Sequence, residues 1–343
     1  MFTRPHDLAD AEVAAALIWG WDLDVEDVEH APLGFGSHHW WVRDAGGTTW
    51  FATADDLRTE RRHEDEPLAA PFARLRAALA TAAALSEAGL GWVVAPVRAH
   101  DGEVVLRVHE SYALALHPRV EGETFPWGPF EDDAHRRAVV DRLLELHGVA
   151  GCREEVGSDD LLVPLADELR GTIDDPGRRW GAGPFASDAW ELVTTHADRV
   201  RALLDRHDAL VAGADTARFV LTHGEPHRAN TVVTQSDGVV LVDWDTVLLG
   251  PPERDLWRLV GEEPAVRRTY EERTGTVLED RLLKAYALGW DLADIATFVR
   301  DLRHPHDDDE DARTAWQGLH AAVINHGVDN SIGGDLPSSQ PPG

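Results

Sequence analysis

The side chains best suited to chemistry lie in His223-Gly224-Glu225-Pro226-His227-Arg228-Ala229-Asn230 and, shortly downstream, Leu241-Val242-Asp243-Trp244-Asp245. The spacing of Glu225 and Asn230 does not put them on one helix face, so the first segment reads as a loop. Between the two segments, alternating apolar residues turn at residues 236–238. That is a hairpin pattern, and it folds Asp243 back beside Asn230. An Asn amide oxygen and an Asp carboxylate are hard donors that suit Mg²⁺. Such a pair can hold nucleotide phosphates while a third carboxylate, here Glu225, orients or deprotonates an attacking hydroxyl. Taken singly, these residues serve equally well as surface or capping groups; their joint placement points to phosphoryl transfer. His223 and His227 are spaced one helix turn apart, but Pro226 intervenes and no His-Glu-x-x-His pattern is present, which argues against zinc hydrolysis. A hydrogen bond within the loop is the expected role of His227.

These residues need a scaffold. Residues 8–19 predict a helix, and residues 30–56 a β-hairpin entered through the glycine-containing bend Pro32-Leu33-Gly34-Phe35-Gly36-Ser37. Residues 67–87 predict a second helix, followed by strands at 92–97, 103–108 and 111–116. Beyond Gly122 the periodicity is mostly helical, over 131–147, 187–209, 265–274, 277–302 and 311–325. The expected fold class is α+β. An N-terminal lobe over 1–120 and a larger, mainly helical C-terminal lobe over 121–330 precede a flexible tail at 331–343.

The two chemical segments resemble the aminoglycoside phosphotransferase family and its choline- and homoserine-kinase-like relatives. Their loop reads His-Gly-Asp-x-x-x-x-Asn, followed by a strand ending Ile/Val-Asp-Phe/Trp. His223, Gly224 and Asn230 match the first motif, residues 241–244 the second, and Pro251-Pro252-Glu253-Arg254-Asp255-Leu256 the segment after it. The resemblance spans roughly residues 28–300. It implies a two-lobed protein-kinase-like fold with a small β-rich N-lobe, and an ATP- and Mg²⁺-dependent transfer to a hydroxyl of a small molecule. An aminoglycoside or another cationic metabolite is among the candidate acceptors.

Carried over by motif, Glu225 takes the catalytic position, and Asn230 and Asp243 the metal positions. Asp245 is a further candidate for the metal or its water shell. His223 supports the loop, and Asp255 is structural. Gly34, Gly36 and Ser37 correspond to the loop over the phosphates, with the Ser37 hydroxyl available to donate. His117 and Arg119, in His117-Pro118-Arg119-Val120, correspond to the adenine-contacting connection. Read without the family, the glycine segment is an ordinary turn and the His-Pro segment an interdomain bend.

Two departures stand out. Glu225 replaces the family's aspartate, adding one methylene. The family's β-strand lysine, expected near residues 52–54, is missing, because Lys284 is the only lysine in the chain. Arg43 and Arg58 are the candidate replacements, although a guanidinium fork is no geometric copy of an ammonium. These departures keep open a nucleotide-binding pseudokinase with a regulatory role, and behind it a nucleotide-independent metabolite-binding protein.

Composition narrows the setting. A formal charge of -30 repels nucleic-acid phosphates and anionic lipid, so neither is an expected partner. The single cysteine, Cys152, forbids an intrachain disulfide and fits a reducing compartment. Neither a secretory leader nor an apolar run of about 18 residues is evident, so the expectation is cytoplasmic. Oligomeric state is left open.

Overall fold

The computed structural model describes residues 1–34, 36–151 and 156–325. Phe35, Cys152 and the expected tail at 331–343 fall outside the described residues. A β-rich N-terminal part precedes a mainly helical C-terminal part, as the sequence predicts. By packing, the chain forms two units: Met1–Arg61 with Asp65–Ser158 and Val220–Gly250, and Arg62–Glu64 with Asp159–Phe219 and Pro251–Gly343. Among the described residues no helix is long and apolar enough to cross a membrane.

The first unit is built on an antiparallel sheet of order β1-β2-β3-β5-β4, comprising Val25–Ala31, His38–Asp44, Thr49–Asp56, Tyr112–Pro118 and Leu106–Val108 (β4). Period-two alternation sorts its residues. Trp40, Val42, Ala52, Ala54, Leu114 and Leu116 pack with Leu8, Val13 and Leu17, the last two on helix α1 (Asp10–Trp21). Ala113 and Ala115 face the other way, against Leu75, Leu79 and Ala83 of α2 (Ala69–Glu87). Phe51, Thr53 and Asp55 alternate with Ala52 and Ala54, which puts them on this second face.

Downstream in the same unit, β6 (Glu123–Thr124) leads to α3 (Asp133–His147). The Asp132 side chain caps α3 by accepting from the Ala134 amide at 2.8 Å. Three short strands follow later: β7 (Val220–Thr222), β8 (Thr231–Thr234) and β9 (Gly238–Leu241), then β10 (Leu248–Gly250). β6, β8 and β9 form one small antiparallel sheet, and β7 pairs with β10.

The strand expected at 92–97 does not form. Gly91 and Pro96 interrupt any ladder there, and the segment instead runs as a strap. The Leu241 amide donates to the Trp92 carbonyl at 2.9 Å and the Val94 amide to the Leu241 carbonyl at 3.0 Å, while the Val97 amide donates to the Leu116 carbonyl of β5 at 2.7 Å. The strand expected at 103–108 shortens to β4. β1, which carries Glu26, Asp27 and Glu29, is a strand that the sequence reading omits.

In the second unit, α9 (Asp280–Arg303) is the longest helix, and its apolar residues pack with those of α4 (Ala166–Asp174), α5 (Ala186–Thr195), α6 (Ala197–Val211) and α10 (Glu310–Asn325). The helix expected over 187–209 is two helices, α5 and α6, separated at His196, whose backbone leaves the helical region. α7 (Glu253–Glu262) and α8 (Ala265–Thr274) complete the unit. Fully buried Glu253 is met by Arg218 at 2.8 Å and by the Glu279 amide at 2.7 Å.

Candidate active site

The loop from His223 to Asn230 is gripped at both ends. On one side β7 enters it and β10 returns beside β7, pairing Leu248 with Thr222. The Thr246 hydroxyl donates to the His223 carbonyl at 2.8 Å. On the other side the loop closes in a short 3-10 turn, Arg228–Asn230, and becomes β8. Thr231 pairs with Leu241 across the β8–β9 hairpin. One residue beyond that pair, the Val242 amide donates to the Asn230 carbonyl at 3.0 Å. The hairpin therefore brings the residue before Asp243 against Asn230.

His223 is fully buried and packs on Trp244, with ring centroids 4.5 Å apart. Its Nδ1 accepts from the Glu225 amide at 3.2 Å, which leaves the ring proton on Nε2 for the Val242 carbonyl at 3.0 Å. This neutral imidazole joins the loop to the strand end. The Asn230 side-chain amide donates to the Glu225 carbonyl at 3.1 Å, which commits its nitrogen and orients the side chain.

Trp244, 1 % exposed, donates to the Leu241 carbonyl at 2.8 Å and packs on Trp92. Between these anchored neighbours Asp243 adopts φ 68°, the left-handed region. Asp tolerates that conformation better than most side chains. The turn leaves Asp243 open to solvent while protein walls it on its other sides.

That enclosure, reinforced by the Glu225 carboxylate, pushes Asp243 up to about 6 against the opposing pull of His227. Asp245 is raised well above the carboxylate range, first by enclosure and then by Asp243, Glu225 and Asp55. Asp55 itself, at the end of β3, is pushed up to about 7 by burial. Four carboxylates thus feel one another in one neighbourhood. Asp55 is a residue that sequence reasoning missed. The signal was available: Ala52 and Ala54 mark the apolar face of β3, so Asp55 falls on the opposite one.

Gly34 and Gly36, in the connection from β1 to β2, take positive φ, 67° and 105°, which glycine adopts without strain. His39 steadies its entrance by donating from Nδ1 to the Leu33 carbonyl at 2.7 Å. The Ser37 hydroxyl, which the resemblance assigns to the phosphate loop, donates to Asp55 at 2.6 Å. The structure thereby brings Ser37, Asp55, Glu225, Asp243 and Asp245 into one neighbourhood, with Asn230 joined to it through the loop.

His117 and Arg119 lie elsewhere on the sheet. His117 is the β5 partner of Phe51, and Arg119 stands over the Trp41 ring at 5.6 Å. Phe51 and Asp55 are four residues apart on β3, about 13 Å along the strand. Burial pushes His117 down to about 4, so it is neutral at neutral pH.

The two candidate replacements for the lysine are engaged in other places. Arg43 pairs with Glu26 at 3.0 Å. Arg58 bonds Asp56, Asp7 and the Tyr112 hydroxyl, and Tyr112 belongs to the α1 face of the sheet.

Residues 28–298 match the phosphotransferase enzyme family. The chain belongs to that family. It is similar to protein StrN of Streptomyces griseus, with 31% identity over 251 residues, covering 68% of this chain and 72% of StrN. Its fold is that of spectinomycin phosphotransferase APH(9)-Ia, solved with ADP and spectinomycin, at a TM-score of 0.68 and 14% identity over 92% of this chain and 94% of that one. Choline kinase LicA from Streptococcus pneumoniae shares the fold at a TM-score of 0.55 and 14% identity, over 91% and 98%. The α+β, two-lobed protein-kinase-like architecture of this phosphotransferase follows from those matches.

Proposed function

We propose that this phosphotransferase moves the γ-phosphoryl group of ATP, with Mg²⁺, onto a hydroxyl of a small molecule in the cytoplasm. The observation that supports the reading is the Val242–Asn230 backbone hydrogen bond, which ties the residue before Asp243 to Asn230 at the end of the loop that holds Glu225.

The donor set suits the ion. Neighbouring carboxylates that raise one another's pKa repel when ionised, and a divalent cation would offset that repulsion. Among the described residues no three His, Cys, Asp or Glu side chains could cage an ion alone. Mg²⁺ does not need such a cage, because it is commonly held by one or two protein oxygens together with phosphates and water. When bound, it would neutralise charge on the transferring phosphoryl group.

The chain's own residues supply the rest. Asn230 and Asp243 are the ion's protein ligands, and Glu225 orients the acceptor hydroxyl and takes its proton. The loop holding Gly34, Gly36 and Ser37 covers the phosphates with backbone amides. His117 and Arg119 hold the base, a strand's length from Asp55. APH(9)-Ia was solved with ADP and spectinomycin, and a nucleotide with a small-molecule acceptor is the pairing we propose here. The acidic surroundings favour a cationic acceptor.

The missing lysine favours a second reading, a pseudokinase that binds nucleotide without transferring it. A screen of hydroxylated antibiotics and metabolites with MgATP, read by mass spectrometry of phosphorylated products, separates the two. A product from any acceptor removes the pseudokinase. Glu225→Ala should lower turnover by roughly 10²- to 10⁴-fold while keeping the nucleotide-induced thermal shift. Full activity in that variant would remove Glu225 from the chemistry.

A further inference from the structure

We propose that His227 is a positioning residue for Glu225, holding a carboxylate whose side chain is one methylene longer than the motif's aspartate; this rests on Glu225 acting as the base. A longer side chain adds a rotatable bond, and an unrestrained carboxylate would spread over several positions in front of the acceptor. A displacement of about 1 Å can cost on the order of a hundredfold in rate.

The local backbone supplies the restraint. Pro226 confines its own φ and favours extended geometry at Glu225 before it. His227 is itself extended, with φ -83° and ψ 167°. The His227 amide donates back to the Glu225 carbonyl, so the chain turns at Pro226 and draws the two flanking side chains toward each other. The His227 Nε2 accordingly lies 3.6 Å from a Glu225 carboxylate oxygen. That is an electrostatic contact which a small rotation on ligand binding turns into a hydrogen bond.

The imidazole is fixed where it stands. Its side chain is 9% exposed, against 33% for Glu225. Its ring meets Trp127 edge to face, with centroids 4.3 Å apart. Its amide donates to the Glu225 carbonyl at 2.8 Å and its carbonyl accepts from the Asn230 amide at 3.0 Å. One residue is thus fastened to the proposed base on one side and to a proposed metal ligand on the other. An aspartate at position 225 would draw its carboxylate back from this ring. The contact belongs to the glutamate.

The test has two arms. In crystals grown with AMP-PNP and Mg²⁺, the wild type and His227→Gln should show Glu225 in one rotamer directed at residue 227. His227→Ala should show it moved or in several rotamers. An unchanged Glu225 rotamer in His227→Ala overturns the proposal without any need for turnover.

In the second arm, ADP release from MgATP is measured with water as acceptor, alongside melting temperature. His227→Ala should lower kcat about 10- to 100-fold with the KM for MgATP within about twofold and melting unchanged, and His227→Gln should recover most of the rate. In a Glu225→Asp background, His227→Ala should cost less than about threefold more. Equal losses in the two backgrounds, or a loss in KM alone, overturn the proposal. Full activity of Glu225→Ala signals instead that the underlying reading of Glu225 has failed.

Discussion

Asp55 shows what a single side chain can conceal. It is buried at the end of β3, accepts the Ser37 hydroxyl, and is pushed up to about 7. In an unfolded chain the same carboxyl titrates near 3.9. Between those values the folded protein keeps a proton that the unfolded chain has lost, so stability falls as pH rises through the window and levels off above it. The full shift corresponds to at most roughly 4 kcal/mol. Asp55→Asn abolishes the titration and keeps an oxygen for Ser37. Its melting temperature should exceed that of the wild type by more at pH 8 than at pH 5; an advantage that does not vary with pH would refute this. Glu225, Asn230 and Asp243 could be singled out as candidates in the sequence because motif spacing survives in one dimension. Asp55 was not, since its meaning comes from four carboxylates converging from two separate stretches of chain. The bond from Ser37 to Asp55 was hidden for the same reason.

Elements were legible where periodicity was long. α2, α3, α8, α9 and α10 appear close to their expected bounds. Short α4 and α7 left too few turns to read, and acidic β1 lacked the apolar alternation of a strand. Small devices nevertheless hold these elements. At Gly122, beside β6, an added Cβ would stand 2.5 Å from the Val233 carbonyl oxygen of β8. Gly122→Ala should therefore push β6 from the hairpin that carries Asn230 and Asp243, costing roughly 1–3 kcal/mol in denaturant unfolding. Unchanged stability would mean that the backbone yields freely there. In the second unit, Arg218 spans Glu253 and Glu279, at 2.8 and 2.5 Å. Arg218→Ala strands a fully buried carboxylate beside one remaining amide, and the expected loss is roughly 3–5 kcal/mol. A loss below about 1 kcal/mol would show that the Arg218 pair does not hold Glu253 in place.

At the scale of the molecule, a formal charge of -30 makes the folded state repel itself. Raising NaCl from about 10 to about 150 mM shortens the screening length to near 8 Å. The melting temperature at pH 8 should rise with it, and the rise should fade as pH approaches the point of zero net charge. A melting point indifferent to salt at pH 8 would show that the ion pairs already balance the field. The strap over residues 92–97 bears on motion. It is hydrogen-bonded to Leu241 of the hairpin and to Leu116 of the large sheet, so neither can leave the strap without breaking backbone hydrogen bonds at its own end. Breathing that admits a ligand must come from somewhere other than this seam. In deuterated solvent the amides of Val94, Val97 and Leu241 should exchange together, as one slow cooperative opening.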